Sequence, residues 1–226
     1  MVNDLSTNLT SIEWLPSSIY HSITMVKVAI VYSSINGHTN RLAKSILEGI
    51  TSIEGVEGTL FTSEEALKRE TLDDLSDNYT AIIFGTPTLM GSPSAKFKEF
   101  MEATSGIFFR KLWKNKIASA FTVSGGRSGD KLNTLTSLAI FAAQQSMVWV
   151  PLALAPGWNM STQKEHEGVN TSGFFLGVGA QANIDQDGTV APAEWDLKTG
   201  FLHGKRLALF AKTYEPTYKS LKELDI

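Results

Sequence analysis

The 226-residue sequence predicts an α/β fold in which a five-stranded parallel sheet lies between two layers of helices. Two observations lead to this prediction. Short apolar runs rich in β-branched residues alternate with longer segments whose apolar residues recur every three or four positions, as they do in buried strands and amphipathic helices. The strands also end in loops of small and polar residues, which is where open α/β sheets bind their ligands.

The first strand, loop and helix form the clearest unit. Residues 28–31 are an apolar run, and Leu42, Ile46 and Ile50 recur at the spacing of one helix face. The loop between them consists of Ser34, Ile35, Asn36, Gly37, His38 and Thr39. Unpaired N–H groups and the helix dipole favour a phosphate there. The loop lacks a lysine and the spacings of triphosphate and dinucleotide loops, so a monophosphate such as that of FMN fits it best. An ordinary strand–helix turn is the alternative.

The rest of the chain repeats this alternation. Further strands are predicted at 56–62, 81–84, 117–123 and 148–150, and helices within 63–78 and at 94–104, 130–145 and 196–213. We expect the strand order 2-1-3-4-5, with residues 172–179 completing the fifth, edge strand. Residues 151–195 are long, glycine-rich and weakly periodic, which is typical of an insertion. Residues 1–25 are predicted to be an N-terminal extension, and residues 26–226 one domain.

Two more loops follow the third and fourth strands. The first consists of Pro87, Thr88, Leu89, Met90 and Gly91, a stiff and tight bend. The second consists of Ser124, Gly125, Gly126, Arg127, Ser128 and Gly129, whose glycines allow a flat ligand close to the backbone. Because the carboxyl ends of parallel strands share one edge of the sheet, we expect all three loops to bind one ligand. Each loop alone is also compatible with an ordinary turn.

Together the three loops resemble those of a known family. The first resembles the flavodoxin phosphate loop, and Gly37-His38 directly before the helix is closer to the tryptophan-repressor-binding-protein (WrbA) type of FMN-dependent NAD(P)H:quinone oxidoreductases. The second resembles P-T-x-(F/Y)-G-x-(M/P), and the third S-T-G-x-G-G. The resemblance spans residues 26–213. It implies a flavodoxin-like three-layer fold, bound FMN, NAD(P)H as co-substrate, and ping-pong transfer of two electrons to a quinone or similar acceptor.

The resemblance also implies individual roles. Gln145 stands where the family has a histidine near the flavin pyrimidine, and Asn36 replaces an aromatic residue near the nicotinamide. Met90 replaces an aromatic residue in the second loop, and its sulfur can still cover a ring face. Trp113 is expected in the aromatic wall that faces the nicotinamide and the quinone, with a place in the core as the alternative. The family further implies that residues 151–195 cover the site and that the chain forms a homo-oligomer, a dimer or a tetramer.

Composition excludes several other functions. A net charge of −3 gives no electrostatic case for binding nucleic acid or an anionic membrane. The absence of cysteine removes thiolate catalysis and cysteine metal sites. No apolar run approaches the roughly 20 residues of a membrane span, and residues 1–25 lack a secretory signal pattern. We therefore expect a cytoplasmic protein without a membrane span.

Some alternatives stay open at this point. Residues 183–194 match part of a calcium loop, but we predict a plain turn and no metal site. His203 on the last helix is predicted at the surface or in an interface. Two rivals to the reductase remain, a flavodoxin-type electron carrier and a non-catalytic flavodoxin-fold binding or assembly protein. The sequence does not choose between NADH and NADPH, and it does not name the acceptor.

Overall fold

The computed structural model describes residues 25–164 and 167–224, so the predicted extension lies outside the described residues up to residue 24. The strands are β1 (Val26–Tyr32), β2 (Val56–Thr62), β3 (Ala81–Leu89), β4 (Ser92–Pro93), β5 (Ile117–Ser124), β6 (Val148–Trp149) and β7 (Val178–Gln181). The helices are α1 (His38–Thr51), α2 (Arg69–Asn78), α3 (Ala95–Ala103), α4 (Ser105–Phe109), α5 (Lys131–Gln144) and α6 (Glu194–Glu223). A turn of 3-10 helix at Glu65–Leu67 precedes α2.

The main sheet is parallel and runs β2-β1-β3-β5-β6, while the two-residue strand β4 pairs antiparallel with the end of β3. The fifth position is shared by two short strands. β6 pairs with Ile117 and Ala118 at the start of β5, and β7 pairs with residues 121–124 at its end. The predicted order and the two-part edge strand are therefore confirmed, with residues 150–177 leaving the sheet between the two halves.

Alternate residues of the strands supply two apolar cores. On β1, Val28 and Ile30 lie in the core that includes residues of α1 and α6. Ala29 and Val31 lie in the other core, with residues of α2, α3 and α5. Because every second side chain of a strand points to the same face, a continuous apolar run such as 28–31 requires helices on both faces. This arrangement gives the predicted three layers.

Helices α1 and α6 pack against each other at glycines. A Cβ atom on Gly204 would lie 2.0 Å from the carbonyl oxygen of Ile46, and one on Gly49 would lie 2.0 Å from the carbonyl oxygen of Phe201. Neither position has room for a side chain. The close approach fixes α1, and with it the loop at its start, relative to the longest helix of the fold.

The last helix differs from its prediction in two ways. It continues to Glu223, ten residues past the predicted end, and it contains Pro216. Beyond the proline, the buried ring of Tyr218 anchors the helix, with Lys116 Nζ 5.1 Å from its centroid. The prediction that His203 lies at the surface or in an interface is wrong, because the side chain is fully buried between α6 and β5.

Candidate functional site

The three predicted loops converge on one cleft at the carboxyl end of the sheet. The lining residues are Ile35, Asn36, His38, Thr39, Pro87, Thr88, Leu89, Val123, Ser124, Gly125, Ala182 and Ile184. The enclosed volume is about 160 Å³, below the several hundred cubic ångströms of a cavity that encloses a whole ligand. The cleft therefore suits a ligand that inserts one end or one face and leaves the rest near the surface.

The first loop carries the features of a phosphate site. Gly37, the residue before α1, has a φ of 82° and no side chain with which to cap the helix, and no acidic residue lies in the first turn. The Ser34 hydroxyl accepts a hydrogen bond from the Asn40 amide at 3.3 Å. The amides of His38 and Thr39 belong to the first turn and have no intrahelical acceptor. An anion placed here gains both these donors and the helix dipole.

A fourth segment, residues 183–188, supports this loop, and the sequence analysis missed that role. Gly188 donates its amide to the Asn36 carbonyl at 2.9 Å. A Cβ on Gly188 would lie 2.4 Å from the Gly37 carbonyl carbon, so only glycine fits. His38 Nε2 lies 2.6 Å from the Gln186 carbonyl oxygen, which can only accept, so Nε2 carries the proton. The Asp187-Gly188 turn was visible in the sequence, but nothing local indicated what it contacts.

The second loop is stiffened from below by hydroxyl groups. Thr88 Oγ1 lies 2.8 Å from the hydroxyls of both Thr122 and Thr134. Asn133 donates its side-chain amide to the Gly91 carbonyl at 2.6 Å, which fixes the tight bend. Met90 has a φ of 47° and is fully exposed, outside the residues that line the cleft. Its role against a ring face stays a prediction.

The third loop contributes its first residues to the cleft. Gly125 lies against the side chain of Ile184, whose Cγ2 would be 2.6 Å from a Cβ on the glycine. Arg127 and Ser128 instead line a neighbouring hollow, in which Arg127 lies 5.6 Å from the ring of Trp158. Gly129 has a φ of 50° and packs against Ser124. Direct ligand contacts from Gly126 to Gly129 therefore stay predictions.

Two predicted site residues lie elsewhere. Gln145 follows α5, which runs back from the carboxyl end of the sheet, so Gln145 lies at the amino end. Its side-chain amide donates to Thr104 Oγ1 at 2.8 Å, and the residue is buried. The predicted contact of Gln145 with the cofactor of its own chain is therefore wrong.

Trp113 does not form a wall of the cleft. It is fully buried, and its Nε1 donates to Ser76 Oγ at 3.1 Å. Its ring packs among Phe84, Phe100 and Phe141. The substrate role predicted for Trp113 is wrong, and the alternative of a core tryptophan is correct.

The residues present fit FMN. Among the described residues that line the cleft, His38 is the one ionisable side chain. Amides at the start of α1 suit the phosphate, and apolar side chains such as Ile35, Leu89 and Val123 suit a flat ring. The described residues contain no group of three or more histidine, aspartate or glutamate side chains that could hold a metal ion. No helix among them is long and apolar enough to cross a membrane.

Comparison with known proteins agrees with this fit. A family model described as NADPH-dependent FMN reductase matches residues 26–157. The chain is similar to flavodoxin FldP of Pseudomonas aeruginosa, at 35% identity over 81% of this chain and 96% of that protein. It is also similar to the NAD(P)H quinone oxidoreductase YCP4 of Candida albicans, at 29% identity over 80% of this chain and 66% of that protein.

A solved structure is similar over the same region. The WrbA-like flavodoxin from Agrobacterium tumefaciens matches with a TM-score of 0.63 and 31% identity, over 83% of this chain and 98% of that one. The flavodoxin-like fold is thus shared with a solved relative. The chain belongs to the NADPH-dependent FMN reductase family and is an FMN-binding, NAD(P)H-dependent reductase.

Proposed function

We propose that this chain passes electrons from NAD(P)H through bound FMN to a quinone or a similar flat, small acceptor. The observation that carries the proposal is the apolar rim of the cleft. Ile35, Leu89 and Ile184 line it and are 60%, 42% and 87% exposed. Apolar groups held open to solvent beside a ligand cleft favour a flat apolar molecule. The name of the YCP4 relative points to the same class of acceptor.

The protein's part in this reaction is to bind and to orient. FMN, when bound, supplies the two-electron chemistry. The first turn of α1 would hold the phosphate, while Pro87 and Leu89 on one side and Gly125 on the other would place the ring. The apolar rim would exclude water from the ring face and receive the acceptor. No residue of the cleft has to act as a nucleophile.

A second candidate is a flavodoxin-type electron carrier, favoured by the similarity to FldP over nearly the whole length of that protein. Carriers of this kind find large partners by charge. The net charge of −3 spread over 226 residues gives weak steering. The third candidate is a non-catalytic binding or assembly protein. The replacement of the family's histidine by Gln145 does not favour it, because Gln145 lies outside the cleft. The remaining support for this candidate is Asn36 in place of an aromatic residue.

Steady-state kinetics with the purified chain test these candidates. We expect flavin absorbance after purification, and oxidation of NADH or NADPH that is slow alone and at least tenfold faster with benzoquinone. Comparison of the rate with NADH and the rate with NADPH also identifies the preferred nucleotide. A flavin-loaded protein that reduces a redox protein but not benzoquinone would support the carrier. A protein that binds FMN and turns over with neither acceptor would support the non-catalytic candidate.

Assembly is part of the same proposal. A dimer or tetramer is expected from the family, and light scattering after size-exclusion chromatography measures it directly. A monomer at micromolar concentration would contradict this part while leaving the reductase activity to be judged by the kinetics. The predicted cytoplasmic location, and the boundary at residues 25 and 26, stay predictions.

A further inference from the structure

One fully buried lysine lies directly beneath the third loop of the cleft. Lys131 is the first residue of α5 and has no solvent exposure. Its Nζ donates to the carbonyl oxygens of Gly126 at 2.5 Å and of Arg127 at 2.9 Å. The lysine therefore donates these hydrogen bonds to the backbone of the loop that borders the cleft.

Other donors bind the remaining carbonyls of this loop. The Gln181 side chain donates to the Gly125 carbonyl at 2.9 Å, and the Lys131 amide donates to the Ser128 carbonyl at 3.1 Å. In a planar trans peptide the C=O and the following N–H point in opposite directions. Holding the carbonyls of Gly125 and Arg127 on the protein side thus turns the amides of Gly126 and Ser128 away from it. Neither of these two amides has an acceptor in the described part of the chain.

Holding the carbonyl groups of the third loop does not require a positive charge on Lys131. Burying an ammonium group costs free energy unless it is paired, and Lys131 makes no ion pair within 4 Å among the described residues. Phe174 lies 6.0 Å from Nζ. Burial lowers the pKa of Lys131 to about 8, and the negative charge of Asp196 on α6 opposes this shift, so the ammonium form predominates at pH 7. Neutral donors such as an amide could bond the same carbonyls. The retained charge therefore points to a role beyond holding the loop.

We propose that Lys131 is a positioning residue for FMN: together with Gln181 it holds the third loop with the amides of Gly126 and Ser128 directed away from the protein, and its charge raises the midpoint potential of the flavin. The proposal rests on FMN binding in the cleft. A positive charge near the pyrimidine end of a flavin favours the reduced form, because reduction places negative charge there. Loop amides without internal acceptors would stabilise the same charge.

The test uses two substitutions of Lys131 and a matched control. Lys131→Gln keeps a donor but removes the charge, and Lys131→Met removes both. Lys116→Met is the control, because Lys116 is also fully buried and also donates to a backbone carbonyl, that of Tyr79, but at the amino end of the sheet. Each flavin-loaded protein is measured for its FMN dissociation constant, for its midpoint potential against a reference dye, and for thermal unfolding.

We expect Lys131→Gln to keep FMN affinity within threefold and to lower the preference for reduced over oxidised FMN about tenfold, which is about 30 mV for a two-electron couple. Lys131→Met should lower the potential equally and weaken FMN binding at least tenfold. Lys116→Met should change neither value, whatever it does to unfolding. If Lys131→Met does not fold, Lys131→Gln alone decides on the charge.

Unchanged potentials in both Lys131 variants would overturn the proposal, as would an equal fall in Lys116→Met. A wild-type chain that binds no FMN would contradict the proposed function and this inference together. A flavin-loaded wild type with unchanged variants would contradict this inference alone.

Discussion

Among the described residues, the loops at the carboxyl end of the sheet leave backbone amides without partners, whereas at the amino end side chains bond the turns to one another. Gln145 donates to Thr104, Lys116 donates to Tyr79, and Trp113 donates to Ser76. The side chains of Gln145, Lys116 and Trp113 are buried. The cleft at the other end is poor in charged side chains. The feature that marks the carboxyl end as the ligand end is therefore its set of unpaired backbone amides, since it has few ionisable side chains.

The largest effect is expected at Trp113, at the amino end of the sheet. Trp113→Ala should lower the free energy of unfolding by about 3–5 kcal/mol, because it leaves a cavity among three phenylalanine rings. FMN affinity of the folded fraction should stay within threefold of wild type. Urea unfolding measures the first effect and flavin titration the second. Trp158→Ala, which removes a partly exposed tryptophan near the cleft, is the control and should cost less than about 1 kcal/mol. A stable Trp113→Ala protein with a raised KM for quinone would reinstate Trp113 as a substrate residue.

The second-largest effect is expected at Gly188, at the carboxyl end of the sheet. Gly188→Ala should weaken FMN binding at least tenfold and lower the free energy of unfolding by about 1–3 kcal/mol, because the new methyl group would press on the Gly37 carbonyl. Gly106→Ala is a matched control, since a Cβ on Gly106 meets nothing within 4 Å. It should be neutral or slightly stabilising. Equal FMN affinity in the two variants would show that residues 183–188 do not support the phosphate loop.

A pH titration examines the middle of the fold, between the two ends. Ser119 donates its single hydroxyl proton to the Val150 carbonyl, so His203 Nε2 must donate to Ser119, and Nδ1 is left without a partner among the described residues. Burial lowers the pKa of His203 from 6.5 to about 3. The unfolded chain thus takes up a proton near pH 6.5 that the folded chain accepts only near pH 3.

Stability should therefore fall as the pH is lowered through this window, by up to about 1.4 kcal/mol per pH unit. His203→Gln cannot take up the proton, so the difference in unfolding free energy between wild type and variant should shrink as the pH falls from 6.5. Chemical unfolding at pH 7, 6 and 5 measures it. A difference that is constant over this range would show that His203 titrates normally in the fold.

The smallest effect is expected at Met90. Because its side chain is fully exposed, Met90→Ala should change the free energy of unfolding by less than about 0.5 kcal/mol. FMN affinity should fall by no more than threefold if the thioether covers a ring face, since such a contact contributes about 0.3–1.5 kcal/mol before solvent competes for it. A tenfold or greater loss of FMN affinity would show that Met90 contacts the bound FMN directly.

Much of this comparison was predictable from the sequence. The three loops follow buried strands, and strand order alone brings them to one edge. The two halves of the edge strand were also predictable, because Val148 and Gly179 belong to separate short apolar runs. These features depend on local composition and on general rules of α/β topology.

The errors have a common physical origin. Gln145 and Trp113 received roles from positions in a family pattern, but which end of the sheet they occupy depends on helix direction and on packing. The glycine at 188 was not recognised as support for Gly37, because the two are distant in sequence and meet only in the folded chain. The burial of His203 was not predictable, because the apolar residues of α6 form a narrow stripe that does not indicate which other residues of the helix the fold covers. The extension of α6 past Pro216 depends on the anchoring of Tyr218.

The divided edge strand has a consequence for the behaviour of the chain in concentrated solution. A long, flat outer strand offers a continuous row of N–H and C=O groups on which another molecule can build. Here the border beside β5 consists of pieces of two and four residues, with the chain turning away between them. A strand from another molecule therefore has no continuous row of N–H and C=O groups to pair with at this edge. We expect intermolecular strand addition only at the opposite edge, which is formed by β2.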